Sequence, residues 1–267
     1  MIQLQGSWVA MPTPFTENDK IDFDGFATLI DRQIKYGTSQ LFVLGSAGET
    51  TLLTMEEKKT IVKEVVSMAK GRIPCFFNAS ALTTEQSVEM ARYCEQQGAD
   101  GVIFTVPPYV LINQHATFTH FDTCMSSIGI PCGIYNNPSR LGVLVQPETI
   151  KKLSDKHPNF VVDKEAQGSA EQLVQVQRLC EGKVKIMCCD YPHYSIVVPT
   201  LALGGTGTAN IGGNIIPEEA AKYSRPWTSM EIMEECRTEY FKWFPLLQQL
   251  YTFSNPVVIK AALRILG

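Results

Sequence analysis

Short runs of β-branched and aromatic residues alternate along the chain with longer stretches whose apolar positions recur at helical spacing. The short runs fall at Trp8–Met11, Gln40–Leu44, Cys75–Asn78, Gly101–Thr105, Gly133–Tyr135, Phe160–Asp163, Val184–Met187 and Gly207–Ile211. From the second to the eighth they recur about every 22–34 residues, roughly one βα unit each. Most are apolar throughout rather than alternating, which predicts parallel strands covered on both faces.

The longer stretches announce their ends. Thr54-Met55-Glu56-Glu57, Thr83-Thr84-Glu85-Gln86 and Ser169-Ala170-Glu171-Gln172 each fit a capping box. Gly71, Gly98 and Gly182 fall where a left-handed residue would stop those helices, and Pro147 suits the first turn of another. Ile61, Val62, Val65 and Ala69 make one apolar face suited to packing on a sheet. Eight strands with eight crossovers predict an α/β fold, a (β/α)8 TIM barrel over residues 1–226. A doubly wound open sheet competes, but it usually carries a glycine-rich phosphate turn after its first strand. Trp8-Val9-Ala10-Met11-Pro12-Thr13-Pro14 has no glycine there. Residues 227–267, rich in Glu, aromatics and Leu, read as a C-terminal helical extension.

Composition narrows the function classes. The chain has 267 residues, 45% hydrophobic and 19% charged, which is globular composition. Its net charge of −4 leaves no basic footprint for nucleic acid. No window approaches the roughly 18–20 uncharged apolar residues that a bilayer span needs. The N-terminus lacks the basic and apolar regions of a secretory signal. Eight cysteines are scattered among strand-like and helix-like segments with no C-x-x-C pair, and a chain of this length buries a core without staples. A reduced, cytoplasmic protein is expected.

In a barrel, catalysis sits at the C-terminal ends of the strands. Three clusters stand there: Gly45-Ser46-Ala47-Gly48-Glu49-Thr50 after strand two, Tyr135-Asn136-Asn137-Pro138-Ser139-Arg140 after strand five, and Lys164-Glu165 after strand six. Lys164 follows an apolar run in the barrel wall. Burial lowers a lysine pKa, and a neutral amine attacks a carbonyl carbon to form a Schiff base. The plainer alternative is a lysine snorkelling from the strand end and paired with Asp163 or Glu165, although the pleat should point both away from it. Tyr135 reads equally as a proton carrier or as a core tyrosine with a satisfied hydroxyl. The Gly45-Ser46-Ala47-Gly48 turn lets backbone amides converge on a carboxylate. Arg140 offers a bidentate fork for a carboxylate, against the default of a surface ion pair.

Metal chemistry finds little support. His115 and His120 are five apart, on different helix faces, and Cys188-Cys189 are adjacent rather than at ligand spacing. His157 lies in a loop-like His-Pro, and His193 stands alone near a strand end. There is no Walker motif and no G-x-G-x-x-G.

Taken together, these residues resemble the dihydrodipicolinate synthase / N-acetylneuraminate lyase family of pyruvate-dependent lyases. The likeness runs through Pro12-Thr13-Pro14-Phe15 with Ile21-Asp22, Gly45–Glu49, Tyr135–Arg140 and Lys164-Glu165-Ala166. It continues through Gly204–Gly207 with Asn214, then Asn255-Pro256 with Lys260–Leu263. The resemblance implies a barrel with C-terminal helices, assembled as a homotetramer built from dimers. It implies that Lys164 forms an imine with pyruvate or another 2-oxo acid, without a cofactor or a metal. Tyr135 would shuttle protons, with Ser46 as the third catalytic residue. Ala47 and Gly48 would help hold the substrate carboxylate, Arg140 would receive the carboxylate of a second substrate, and Tyr109 and Ala209 would complete the substrate site.

The departures from the pattern have consequences. After strand four the family usually has two tyrosines, and here Val110 follows Tyr109. Ala47 stands where the strand-two turn usually carries a second hydroxyl, and Asp163 replaces an apolar residue. Cys188–Tyr194 does not align cleanly with the synthases. Relatives continue for another two helices or so past Leu266-Gly267, so the resemblance implies a short or truncated helical segment. The leading expectation is a dihydrodipicolinate synthase-like aldol condensation or cleavage through a lysine imine, with an aldehyde as co-substrate. A 2-keto-3-deoxy sugar acid aldolase or dehydratase follows, favoured by Pro107-Pro108-Tyr109-Val110. A non-catalytic keto-acid-binding relative is the alternative of another class, and it has no need of the Lys164 amine.

Overall fold

A computed structural model describes residues 3–190 and 194–267. Eight strands form a closed parallel barrel in chain order: β1 (Gly6–Ala10), β2 (Gln40–Val43), β3 (Cys75–Asn78), β4 (Gly101–Phe104), β5 (Cys132–Asn136), β6 (Phe160–Glu165), β7 (Lys185–Cys189) and β8 (Gly207–Asn210). The outer layer is α1 (Phe23–Lys35), α2 (Met55–Ala69), α3 (Thr84–Gln97), α4 (Gln114–Ser126), the short α5 (Pro138–Leu141), α6 (Pro147–Lys156), α7 (Ala170–Cys180), α8 (Val197–Ala202) and α9 (Pro217–Tyr223). Two further helices, α10 (Met230–Gln249) and α11 (Val257–Leu266), make the C-terminal extension.

The helix starts follow the side-chain chemistry. Thr54 and Glu57 form a full reciprocal capping box on α2. Thr83 and Ser169 cap α3 and α7 from one side only, each accepting an amide of the first turn. At the end of α7 the left-handed position is taken by Glu181 as well as Gly182. The α2 face of Ile61, Val62, Val65 and Ala69 is buried, together with Val66.

Strand ends differ from the sequence reading in a way that moves the chemistry. Lys164 and Glu165 lie inside β6, not after it, because the ladder continues with Tyr135↔Lys164 and Asn136↔Glu165. Strand β7 likewise runs on through Cys188 and Cys189. Polar residues here occupy strand positions because the neighbouring strands still offer hydrogen-bond partners.

The barrel closes through β1 and β8, with Gly6 opposite Gly207. The approach is too tight for a side chain, since a Cβ on Gly207 would lie 2.0 Å from the Gly6 carbonyl oxygen. Below the mouth, Trp8 and Phe76 stack with centroids 4.6 Å apart and fill the interior.

The C-terminal helices are bound to the barrel mouth. Tyr194 packs edge-on against Phe244 and Tyr251. Its hydroxyl donates to the Leu247 carbonyl, and its own carbonyl accepts from Tyr240 at 2.6 Å. Lys260 of α11 pairs with Glu49 beyond β2. Among the described residues no helix is long and apolar enough to cross a membrane.

Candidate active site

Side chains alternate across each strand, so every second residue of β5, β6 and β7 points into the barrel. That puts Tyr135, Lys164 and Cys189 on the inside, joined by Ala10 of β1, Phe42 of β2 and Ala209 of β8. Above this layer, Ser46, Arg140, Asp190, Ile211, Tyr251 and Asn255 complete a narrow cavity at the C-terminal ends of the strands.

Lys164 is 4% exposed. Its Nζ lies 3.3 Å from Cys189 Sγ, 3.3 Å from the centroid of the Tyr135 ring and 5.4 Å from that of Phe42. Burial lowers its pKa from the ordinary lysine value; Cys189 and Asp190 oppose that, and Arg140 adds to it. The alternative pairing with Asp163 or Glu165 is not seen. Glu165 turns outward, where Asn136 Nδ2 and Gln172 Nε2 of α7 donate to its carboxylate at 3.0 and 3.3 Å.

Tyr135 is buried, and its hydroxyl accepts from Asn137 Nδ2 at 2.6 Å and meets Cys189 Sγ at 3.6 Å. Burial pushes the phenol well above its usual range. Asn137 also caps α5, its Oδ1 accepting from Ser139 Oγ at 2.7 Å and from the Arg140 amide at 3.2 Å. One side chain therefore positions both the phenol and the helix that carries Arg140.

The strand-two turn is tight. Leu44 takes a positive φ of 61°, Gly48 N–H donates to the Gly45 carbonyl at 3.0 Å, and Thr13 Oγ1 donates to the Gly48 carbonyl at 2.7 Å. The Ser46 and Ala47 amides make no hydrogen bond to another described residue. Ser46 borders the cavity, Ala47 is fully buried, and Gly48 packs against the end of strand one.

Tyr109 does not reach this cavity. Its φ of 74° turns it outward, and it is 99% exposed on the rim beside Val110. His193 lies outside the described residues. Among those described, no group of three or more His, Cys, Asp or Glu side chains is placed to hold a metal ion.

The sequence reading missed Cys189, Asp190 and Tyr251. Asp190 is buried, with Ile211 N–H donating to Oδ2 at 3.1 Å and Tyr251 Oη donating to Oδ1 at 2.9 Å. Burial pushes its carboxyl up to about 6 despite those bonds and the nearby Lys164. Cys189 looked like another core cysteine. Its distinguishing signal is the period-two alternation of β7, which carries it inward at the level of Lys164.

A desolvated amine beside a phenol, unused amides on a neighbouring turn and an arginine at the mouth form a set suited to a small oxo acid. The amine supplies a nucleophile, the phenol a proton carrier and the amides an anion site.

The model of the family described as "Dihydrodipicolinate synthetase family" matches residues 3–267. The chain is 33% identical over 263 residues to a 4-hydroxy-tetrahydrodipicolinate synthase of Clostridium perfringens, covering 98% of this chain and 88% of that protein. It is 30% identical over 263 residues to a protein of the same name from Methanocaldococcus jannaschii, covering 98% and 89%. The solved structure of the 4-hydroxy-tetrahydrodipicolinate synthase from Methylacidiphilum fumariolicum SolV superposes with a TM-score of 0.94 at 29% identity, covering 99% of this chain and 87% of that one.

Proposed function

Since the chain belongs to the dihydrodipicolinate synthetase family, we propose that it is a class I lyase that condenses pyruvate or a related 2-oxo acid with an aldehyde. The observation that carries this reading is the Lys164 amine, buried at the cavity floor with its ordinary pKa lowered by desolvation. The neutral amine attacks the 2-oxo carbon, and loss of water leaves an imine. The imine is an electron sink that acidifies the adjacent C–H, so the resulting enamine adds to the aldehyde carbon. No cofactor is needed for this chemistry.

The other residues take roles that follow from their positions. The free Ser46 and Ala47 amides and the Ser46 hydroxyl receive the oxo acid carboxylate. Tyr135 gives a proton to the departing oxygen and takes one back. Arg140, at the mouth, receives a carboxylate on the aldehyde partner.

The same reading includes self-association. Leu82, Tyr109 and Leu111 are 74%, 99% and 75% exposed, in loops that follow neighbouring strands β3 and β4. Large exposed apolar groups on neighbouring loops support a homo-oligomer covering this rim.

Incubation with pyruvate, reduction with borohydride and peptide mass analysis test the central step. A reduced adduct on Lys164 is the expected result; no adduct on folded protein with pyruvate, 2-oxoglutarate or a keto-deoxy sugar acid would overturn it. In steady-state assays, Arg140→Ala should raise KM about tenfold or more for an acidic aldehyde, the scale of one charge-assisted contact. Its effect on the KM for pyruvate should be small.

A further inference from the structure

Ala47 and Val110 stand where the family resemblance places hydroxyl-bearing residues, and neither can carry a proton. The protic atom that the structure sets against Tyr135 is instead a thiol. Cys189 Sγ lies 3.3 Å from Lys164 Nζ and 3.6 Å from Tyr135 Oη, inside the cavity. It is 5% exposed and one residue before Asp190. The Lys164 amine otherwise meets the faces of the Tyr135 and Phe42 rings. Asn137 donates to the phenol oxygen at 2.6 Å from an amide that does not titrate.

From this geometry we infer that Cys189 is a catalytic residue: its sulfur passes protons between Lys164 Nζ and Tyr135 Oη during imine formation. The inference rests on the imine reading given above.

The proton count closes. Before the reaction Nζ is a neutral amine, its pKa lowered by burial, beside the Cys189 sulfhydryl and the Tyr135 phenol. The amine lone pair forms the N–C bond to the 2-oxo carbon, the carbonyl π pair moves to oxygen, and Tyr135 gives its proton to that oxygen. The thiol restores the phenol, and the thiolate so formed takes a proton from the new N–C ammonium. In the second half, the nitrogen lone pair forms C=N as the C–O bond breaks. Tyr135 supplies the proton that makes the leaving group water, and the thiol again restores the phenol. The product is a protonated imine facing a thiolate, with the same net charge as the resting pair.

This arrangement also accounts for how a cation is formed and re-formed in a buried layer. A thiolate beside it supplies the counter-charge that Asp163 and Glu165, on the other face of β6, do not. Tyr194, Tyr251 and Cys188 also interact electrostatically with Cys189, and Asp190 and Arg140 act on the Lys164 amine beside it.

The test is the rate of borohydride-trapped adduct formation with pyruvate, measured from pH 7 to 9. Asp190 is already ionised in that range. Cys189→Ala should be about 100-fold slower, the scale of one general acid–base group. Its pH profile should also depart from that of the wild type, because proton transfer then runs through bulk water. Cys189→Ser keeps a protic, hydrogen-bonding bridge, so it should be intermediate in rate with a profile shifted in the same sense. A merely structural role would leave the profile of both variants that of the wild type.

Cys189→Ala with the wild-type rate and profile overturns the relay while the imine stands. If that variant does not fold, the same result in Cys189→Ser overturns it equally. Failure of the wild type to form an adduct with pyruvate, 2-oxoglutarate or a keto-deoxy sugar acid overturns the imine reading itself, and the relay with it.

Discussion

On the outer face of β6, Glu165 accepts hydrogen bonds from Asn136, Gln172 and the Gln167 amide, at 3.0, 3.3 and 2.6 Å. On the inner face, one residue away, Lys164 has a sulfur and two aromatic rings for company. Both groups are buried, and both have pKa values moved by desolvation in the direction of the neutral form. The difference lies in what surrounds them. Glu165 sits in a network in which Asn136 also exchanges two hydrogen bonds with the Val145 backbone, each 3.0 Å long, so its geometry is fixed by saturation. Lys164 meets a sulfur and two ring faces and has no comparable network. On the proposed mechanism a single strand serves as anchor on one side and reagent on the other, and the alternation of side chains keeps the two apart.

The largest expected effect belongs to the inner face. Lys164→Ala should reduce turnover at least 1,000-fold, because the nucleophile is gone, while circular dichroism remains that of the wild type. A variant with unaltered turnover would remove the functional half of the contrast. Tyr135→Phe should follow, lowering kcat about 100-fold by loss of one acid–base group. In rapid-quench trapping its 2-oxo acid affinity should change much less than its rate.

The outer face should answer in stability rather than rate. Burial raises the Glu165 carboxyl to about 7 from its ordinary 4.5, against the opposing hydrogen bonds. Between those two values the folded chain holds a proton that the unfolded chain has released, so the contribution of Glu165 to stability falls as pH rises. Thermal unfolding from pH 4.5 to 7 should show this fall, and Glu165→Gln should lessen it, the remainder coming from the raised Asp163 and Asp190 carboxyls.

Asp163 gives the smallest and most diagnostic change. Neither of its oxygens has a hydrogen-bond partner among the described residues, and burial with Glu165 close by pushes its carboxyl well up. Asp163→Val should raise stability by about 1–2 kcal/mol, the scale of relieving an unsatisfied buried polar group, with turnover nearly unchanged. Loss of turnover in this variant would show that the two faces are coupled after all.

Strand order and helix starts were legible because apolar runs and capping residues are local signals. Thr54, Thr83 and Ser169 each cap the helix they predict. The ends of β5 and β6 were misread because Asn136, Lys164 and Glu165 are polar, and polarity alone suggests a loop. Their strand conformation depends on partners across the ladder, which no local window contains. Lys164, Tyr135 and Arg140 stood out by residue type at strand ends. Cys189 did not, since a buried thiol reads as core until the register shows which way it faces. Tyr251 and Asn255 were beyond local reasoning, because they come to the mouth only through the packing of α10 and α11 on the barrel. Tyr109 went the other way: its residue type suggested the site, and its backbone conformation turns it to the rim.

The seam between Gly6 and Gly207, together with the Tyr251–Asp190 bond, has a bearing on how the molecule is made. A ribosome delivers the first strand some 200 residues before its lateral neighbour. During that interval β1 has an open edge, and the interior remains accessible to solvent. The mouth is finished later still, when Tyr251 emerges and takes hold of Asp190. The nascent protein therefore carries the Lys164 amine long before the cavity around it is closed, and the proposed chemistry waits until synthesis has passed Tyr251.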